Sequence, residues 1–207
     1  MKNNFEFKTP SFSPLLIVIS GPSGIGKDAV VQALKARDET THFVITMTTR
    51  IPREEEVNGR DYFFVSKEEF EWLIAQGALM EHALVYSDYK GIPKAQVRQA
   101  LESGKDVIMR LDVQGASTVR RLCPDAVLIF LTANNREEWL ERLKARRSES
   151  EESLALRVET AEKEFACLHE FDYIVVNGEE ELDKTVDVIQ AIIKAEHHRV
   201  NPRRVTL

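Results

Sequence analysis

Lys27 follows the last of three glycines in Gly21-Pro22-Ser23-Gly24-Ile25-Gly26-Lys27-Asp28, a spacing suited to holding phosphate. The glycines admit positive φ and let successive backbone N–H groups converge on one anion with no Cβ in the way. A helix starting just after the loop adds the positive end of its dipole. The lysine ammonium can then follow negative charge as a phosphoryl group moves. An ordinary glycine-rich turn does not account for a lysine beside the final glycine. The last position departs from the pattern, because Asp28 stands where a hydroxyl residue is expected.

Three further groups of charged residues could serve a phosphorylated ligand. Thr48-Thr49-Arg50-Ile51-Pro52-Arg53 is a basic segment between two apolar stretches. Arg110 and Asp112 share one face at the end of an apolar strand, where open parallel sheets bind ligands. Residues 136–164 are charged and helical in character, with Arg142, Arg146, Arg147 and Arg157 around an acidic run, Ser148-Glu149-Ser150-Glu151-Glu152. That last segment is either a solvated, salt-bridged helical hairpin or a mobile lid.

The elements that must position these groups alternate between strand-like and helix-like periodicity, which predicts an α/β architecture. Leu15-Leu16-Ile17-Val18-Ile19 is a buried strand leading into the loop, and Ala29-Val30-Val31-Gln32-Ala33-Leu34 continues as a helix. His42–Met47 is a second strand. Asn58-Gly59 marks a tight turn before Asp61–Val65. Ser66-Lys67-Glu68-Glu69 is a capping box opening a helix that Gly77 closes. Strand Leu79–Val85 is followed by a loop and by a helix from near Pro93 to Gly104. Strands at 105–113, 126–131 and 173–176 complete the predicted sheet.

With 207 residues, 43% of them hydrophobic, the chain fits one domain carrying inserted subdomains. No apolar run approaches the roughly 20 residues that cross a bilayer, and the first residues lack a secretory pattern, so a soluble intracellular protein is expected. Pro10 and Pro14 disfavour a regular element in the polar stretch before residue 15; a trimmed organellar segment fits there as well. A formal charge of −6 argues against non-specific nucleic-acid binding. Cys123 and Cys167 match no metal or redox spacing and are expected to be free thiols. His197-His198 is expected to be solvated.

In order along the chain, the loop, Thr48-Thr49-Arg50-x-Pro52-Arg53, Val57-Asn58-Gly59-x-Asp61-Tyr62-x-Phe64-Val65-Ser66, Glu81 with Ala83, Leu111-Asp112-Val113-Gln114-Gly115 and Arg142-Leu143-x-x-Arg146 resemble the guanylate kinase family over most of residues 16–195. The resemblance implies transfer of the terminal phosphoryl group of ATP to GMP, and to dGMP. It implies a P-loop NTPase-type parallel sheet flanked by helices, with an inserted mixed α+β nucleotide-monophosphate-binding subdomain and a helical lid. The divisions it suggests are an N-terminal extension (1–14), a core (15–45, 94–135 and 160–197), a GMP-binding subdomain (46–93), a lid (136–159) and a C-terminal tail (198–207).

By the same resemblance, ATP is held by Gly21, Pro22, Ser23, Gly24, Ile25, Gly26, Lys27 and Asp28, with Asn177 near the adenine. Catalysis falls to Lys27, Arg142, Arg146 and Arg157. Arg50, Arg53 and Tyr62 match positions that hold the GMP phosphate. Thr46, Glu81 and Asp112 match those that read guanine, whose N1–H and N2–H donors suit two carboxylate acceptors. Mg²⁺ is the implied cofactor and ATP and GMP the implied partners, with no nucleic acid, no membrane, and a monomer or weak homodimer in the cytoplasm or an organellar stroma.

Four positions depart from the commoner pattern. Asp28 replaces the hydroxyl that ligates Mg²⁺, Arg110 replaces an acid, Lys90 stands where a tyrosine often helps to hold the acceptor phosphate, and Ile92 replaces a hydroxyl residue that contacts guanine. Asp28 is expected either to ligate Mg²⁺, directly or through water, or to pair with Arg110. The segment Tyr89-Lys90-Gly91-Ile92-Pro93-Lys94 resembles the plastid and cyanobacterial branch. Two other readings compete: a catalytically silent binding module on the same fold, and a kinase for another base, which Ile92 keeps open. The retained Lys27 and lid arginines favour the enzyme.

Overall fold

The computed structural model describes residue 9 and residues 12–85, 87–144 and 151–207, with backbone alone for Val85 and residues 151–154. Strand β1 (Leu16–Ser20) is apolar until its last residue and wholly buried, as a central parallel strand covered on both faces must be. It runs through the glycine loop into α1 (Lys27–Arg37), which buries Val30 and Leu34. Strands β2 (His42–Phe43), β3 (Met47–Thr48) and β4 (Phe63–Phe64) follow, then α2 (Lys67–Ala75), β5 (Leu79–Val85), β6 (Asp88–Pro93) and α3 (Lys94–Glu102). The second half contains β7 (Val107–Arg110), α4 (Val113–Leu122), β8 (Val127–Thr132), α5 (Arg136–Lys144), α6 (Glu151–Ala166), β9 (Tyr173–Val176) and α7 (Leu182–His197).

These strands form two sheets. The larger is parallel, in the order β2-β7-β1-β8-β9, and the smaller is mixed, in the order β4-β3-β6-β5. Alternation along β1 divides the main core. Leu15, Ile17 and Ile19 face a cluster with Val30, Leu34, Trp139, Leu143, Ala161 and Ile189, whereas Leu16 and Val18 face Val97, Met109, Val119 and Leu128. Trp139, Leu143 and Ala161 thereby anchor α5 and α6 in the first cluster. A third cluster, Met47, Phe70 and Leu79, supports the smaller sheet. Among the described residues no helix is long and apolar enough to cross a membrane.

Several sequence-based boundaries shift for identifiable reasons. The expected strand His42–Met47 divides between the two sheets, and the break is bridged by Gln96. Its Oε1 accepts from the Ile45 N–H at 2.7 Å and its Nε2 donates to the Ile45 carbonyl at 3.3 Å. The expected loop before Pro93 is instead β6, antiparallel to β5. The strand expected over 105–113 ends at Arg110, because Asp112 caps α4: its Oδ1 accepts from the Gly115 N–H at 2.7 Å. Ser66 caps α2 as its capping box predicts, accepting from the Glu69 N–H at 3.1 Å. His197 is not solvated. It contacts Asp106 Oδ2 at 2.7 Å and stacks on Phe12 at 4.6 Å between ring centroids.

Candidate active site

The glycine loop sits at the carboxyl end of β1, between the ends of its neighbours β7 and β8. Two glycines are required by close approach. At Gly21 (φ 138°) a Cβ would lie 2.4 Å from the Leu131 carbonyl oxygen, and at Gly26 (φ 93°) it would lie 2.5 Å from Asn177 Nδ2. The Lys27 ammonium donates to the carbonyls of Gly21 at 2.5 Å and Pro22 at 2.9 Å, so it lies folded over the loop. Two groups from α5 and α6 grip Ser23: Trp139 Nε1 donates to its carbonyl and Arg157 Nη1 to its hydroxyl, both at 2.8 Å.

Asn177, just beyond β9, is 6% exposed and fully engaged. Its Nδ2 donates to the Ile25 carbonyl at 2.8 Å and its Oδ1 accepts from Thr185 Oγ1 at 3.0 Å. Arg142 pairs with Glu138 and donates to the Asn177 carbonyl at 2.8 Å. Arg146 lies outside the described residues, together with Arg147 and most of the acidic run.

A cavity of about 150 Å³ opens beside the loop, lined by Lys27, Thr46, Tyr62, Glu81, Lys90, Arg110 and Asp112 among others. It gathers five of the seven residues expected to hold GMP and adds the loop lysine. Capping of α4 fixes one Asp112 oxygen. Burial, with the Asp112 charge nearby, pushes the Glu81 carboxyl up to about 7. The two remaining residues, Arg50 and Arg53, are not among its lining residues. Arg50 is held by Glu56 through bonds of 2.7 and 2.9 Å and lies over the rings of Tyr62 and Phe64 at 5.5 and 5.8 Å. Glu56 also accepts the Arg53 backbone N–H at 2.8 Å. Asp28 pairs with Arg110, and Ile92 is buried at 1% exposure in the second core cluster.

Sequence reasoning missed two carboxylates. Glu56 orders the basic segment, and no spacing signal marks it. Glu164 stands seven residues after Arg157 on α6, with buried Ala161 between them, so all three share the helix face turned to the loop. Burial pushes Glu164 up to about 7, against the pull of Lys27 and with the push of Asp112. Its signal in the sequence is the seven-residue spacing from Arg157.

The arrangement sets a glycine loop and its lysine beside a cavity that also holds the carboxyl groups of Glu81 and Asp112. Comparison with known proteins agrees. The guanylate kinase family model matches residues 13–196. The chain is 46% identical over 199 residues to guanylate kinase 2, chloroplastic/mitochondrial, of Oryza sativa subsp. japonica, covering 96% of this chain and 70% of that one. It is 46% identical over 187 residues to a guanylate kinase of Streptococcus thermophilus, covering 90% and 88%. The crystal structure of guanylate kinase from Anaplasma phagocytophilum superposes with a TM-score of 0.71 at 28% identity, covering 92% of this chain and 89% of that one. The chain belongs to the guanylate kinase family.

Proposed function

We propose that this protein transfers the γ-phosphoryl group of ATP to GMP, and to dGMP, giving ADP and the nucleoside diphosphate by direct in-line displacement. The observation that carries the reading is the shared cavity of Lys27, Glu81 and Asp112, which puts a phosphate-following cation next to a carboxylate pair. Guanine offers N1–H and N2–H to those acceptors. Adenine lacks them on that edge and would leave the half-buried Glu81 and the Asp112 carboxylate without those donors. Thr46 donates to O6, and Tyr62 and Lys90, with Arg50 and Arg53 from the adjoining loop, receive the GMP phosphate.

On the donor side, the backbone N–H groups of residues 21–28 cradle the ATP phosphates. Lys27 leaves its loop carbonyls for the phosphate oxygens, and Arg157, already at Ser23, neutralises charge as it spreads over the transferred group. Arg142 and Arg146 act from α5 and the segment after it. Their closure excludes water, which otherwise competes with GMP as acceptor. The Asn177 carbonyl, bonded to Arg142, bounds the adenine side.

Mg²⁺ is the cation that suits this donor set. Mg²⁺ in kinase sites takes most of its ligands from substrate phosphates and water, with one or two protein carboxylates. Asp28, exposed at the end of the loop, is the protein oxygen that would complete its shell, directly or through water. When bound, the ion offsets phosphate charge. The chain is proposed to act as a monomer or weak homodimer in the cytoplasm or an organellar stroma.

The test is ADP release from ATP and Mg²⁺ with GMP, dGMP, AMP, UMP or CMP each supplied alone. Turnover confined to GMP and dGMP is expected. Equal turnover with AMP would instead support the reading in which Ile92 relaxes base selection, and no turnover with any acceptor would leave a binding module.

A further inference from the structure

Arg110 links the two halves of the site. It ends β7, is paired in register with Ile19 of the strand that feeds the glycine loop, and stands two residues before Asp112. Its guanidinium meets the carboxylate of Asp28, the residue after Lys27. It also lines two cavities: the one holding Tyr62, Lys90 and Asp112, and a neighbouring one of about 410 Å³ bounded by Asp28, Lys35, Glu56, Arg60 and Tyr62. The Asp28 side chain is 70% exposed and that of Arg110 36%, so water screens their attraction and the pair is weakly held. A phosphate dianion offers a planar guanidinium two charged acceptors in place of one solvated carboxylate.

We propose that Arg110 is an acceptor-phosphate ligand that exchanges partners, resting on Asp28 in the empty enzyme and moving onto the GMP phosphate when GMP enters. The exchange frees the Asp28 carboxylate beside the loop, so occupancy of the acceptor site changes the charge presented to the donor site. Asp28 is then a competitor for the cation that GMP needs. This inference rests on the reading of the chain as a GMP-binding enzyme.

The experiment is equilibrium binding of GMP and of guanosine, followed by calorimetry without metal or ATP, to the wild type, Asp28→Ser, Arg110→Gln and the double variant. Asp28→Ser is expected to tighten GMP about five-fold by removing the competitor. Arg110→Gln is expected to weaken it about ten-fold, and Asp28→Ser should then add nothing in the double variant. Guanosine, which lacks the phosphate, should bind all four proteins alike. Unchanged or weaker GMP binding in Asp28→Ser, or a gain that persists without Arg110, overturns the exchange. So does a loss in Arg110→Gln that guanosine shares. Arg110→Lys, which keeps the charge, should recover part of the affinity. Should Arg110→Gln not fold, the contrast between GMP and guanosine in Asp28→Ser still decides. Failure of the wild type to bind GMP at all defeats the functional reading instead.

Discussion

Asn177 Nδ2 donates to the carbonyl of Ile25 across 2.8 Å, tying the end of β9 to the middle of the phosphate loop. Thr185 orients the amide by donating to its oxygen, and the buried side chain fills the space that a Cβ on Gly26 would need. The loop is therefore braced from a strand two positions away in the sheet. In the proposed reaction that bracing would hold the loop's N–H groups in place before any nucleotide arrives.

Gly26→Ala should consequently damage both folding and ATP binding. The new Cβ meets Asn177 at 2.5 Å and the residue sits at φ 93°, so the substitution carries a clash and a backbone penalty together. A loss of about 1–3 kcal/mol is expected from strain alone. Asn177→Ala should cost a similar amount, about 1–3 kcal/mol, by leaving the Ile25 carbonyl unpaired. Urea unfolding of each variant, with and without ATP, measures both effects. Wild-type stability in both variants would show that the brace is idle.

GMP binding should depend on pH through Glu81. Its carboxyl is pushed up to about 7 by burial and by Asp112, so below that pH it carries a proton, loses its negative charge and offers the guanine edge one free acceptor oxygen in place of two. Binding therefore favours proton release, and affinity should rise by up to about ten-fold per pH unit as pH approaches 7 from below, then level off. Stability runs the other way. A carboxyl that holds its proton more tightly when folded contributes stability that is complete below the ordinary carboxylate range and is lost as pH rises through about 7. Glu164, pushed up to about 7 as well, adds to the same trend. Glu81→Gln should flatten the affinity profile near pH 7. The contribution of the GMP phosphate, which titrates near pH 6, should remain.

Lys27→Met should separate binding from transfer. The ammonium sits on the carbonyls of Gly21 and Pro22, contacts that help to shape the loop, and in the proposed reaction it moves to phosphate. A group whose interaction strengthens as charge shifts affects turnover more than affinity. Turnover should fall about 10²–10³-fold, as for loss of one donor to developing charge. GMP affinity should change far less, because the guanine-reading carboxylates remain. Equal losses in both quantities would make Lys27 a uniform binding group.

How much of this was legible in the chain depends on whether the determinants were local. The glycine loop, the capping box of α2 and β9 follow from spacing within a few residues, and all three stand where their residues predict. The division of His42–Met47 between two sheets was not legible, because it is set by Gln96, about fifty residues away. Asp112 looked like part of a strand running to Val113. Its capping role depends on the same short polar side chain that is proposed to read guanine. Family motifs picked out Thr46, Tyr62, Glu81, Lys90 and Asp112, which meet in one cavity, yet they were silent on Glu56. That carboxylate matters only through the arginine it orders.

The chain's last residues were also opaque, and they support the strongest stability prediction. Glu196 is 1% exposed on α7 and is held by Arg203 at 2.8 Å and by the Tyr173 hydroxyl at 2.6 Å. Burial opposes its ionisation, but those bonds outweigh it and keep the carboxyl below the ordinary range. The stability it contributes is thus present above the usual carboxylate pKa and is lost as pH falls through the depressed one. Arg203 reaches back to Asp172 at 3.3 Å, while Val205 and Leu207 pack on the second core cluster, so the tail covers the core cluster opposite the one that anchors α5 and α6. Arg203→Met should leave a buried charge with weaker partners and cost about 3–5 kcal/mol. Adding Glu196→Leu should recover part of that loss, since an apolar pair needs no desolvation of charge. Urea midpoints for the single and double variants decide the matter: a double variant less stable than Arg203→Met alone would show that Glu196 is worth more to Tyr173 and Arg199 than its desolvation costs.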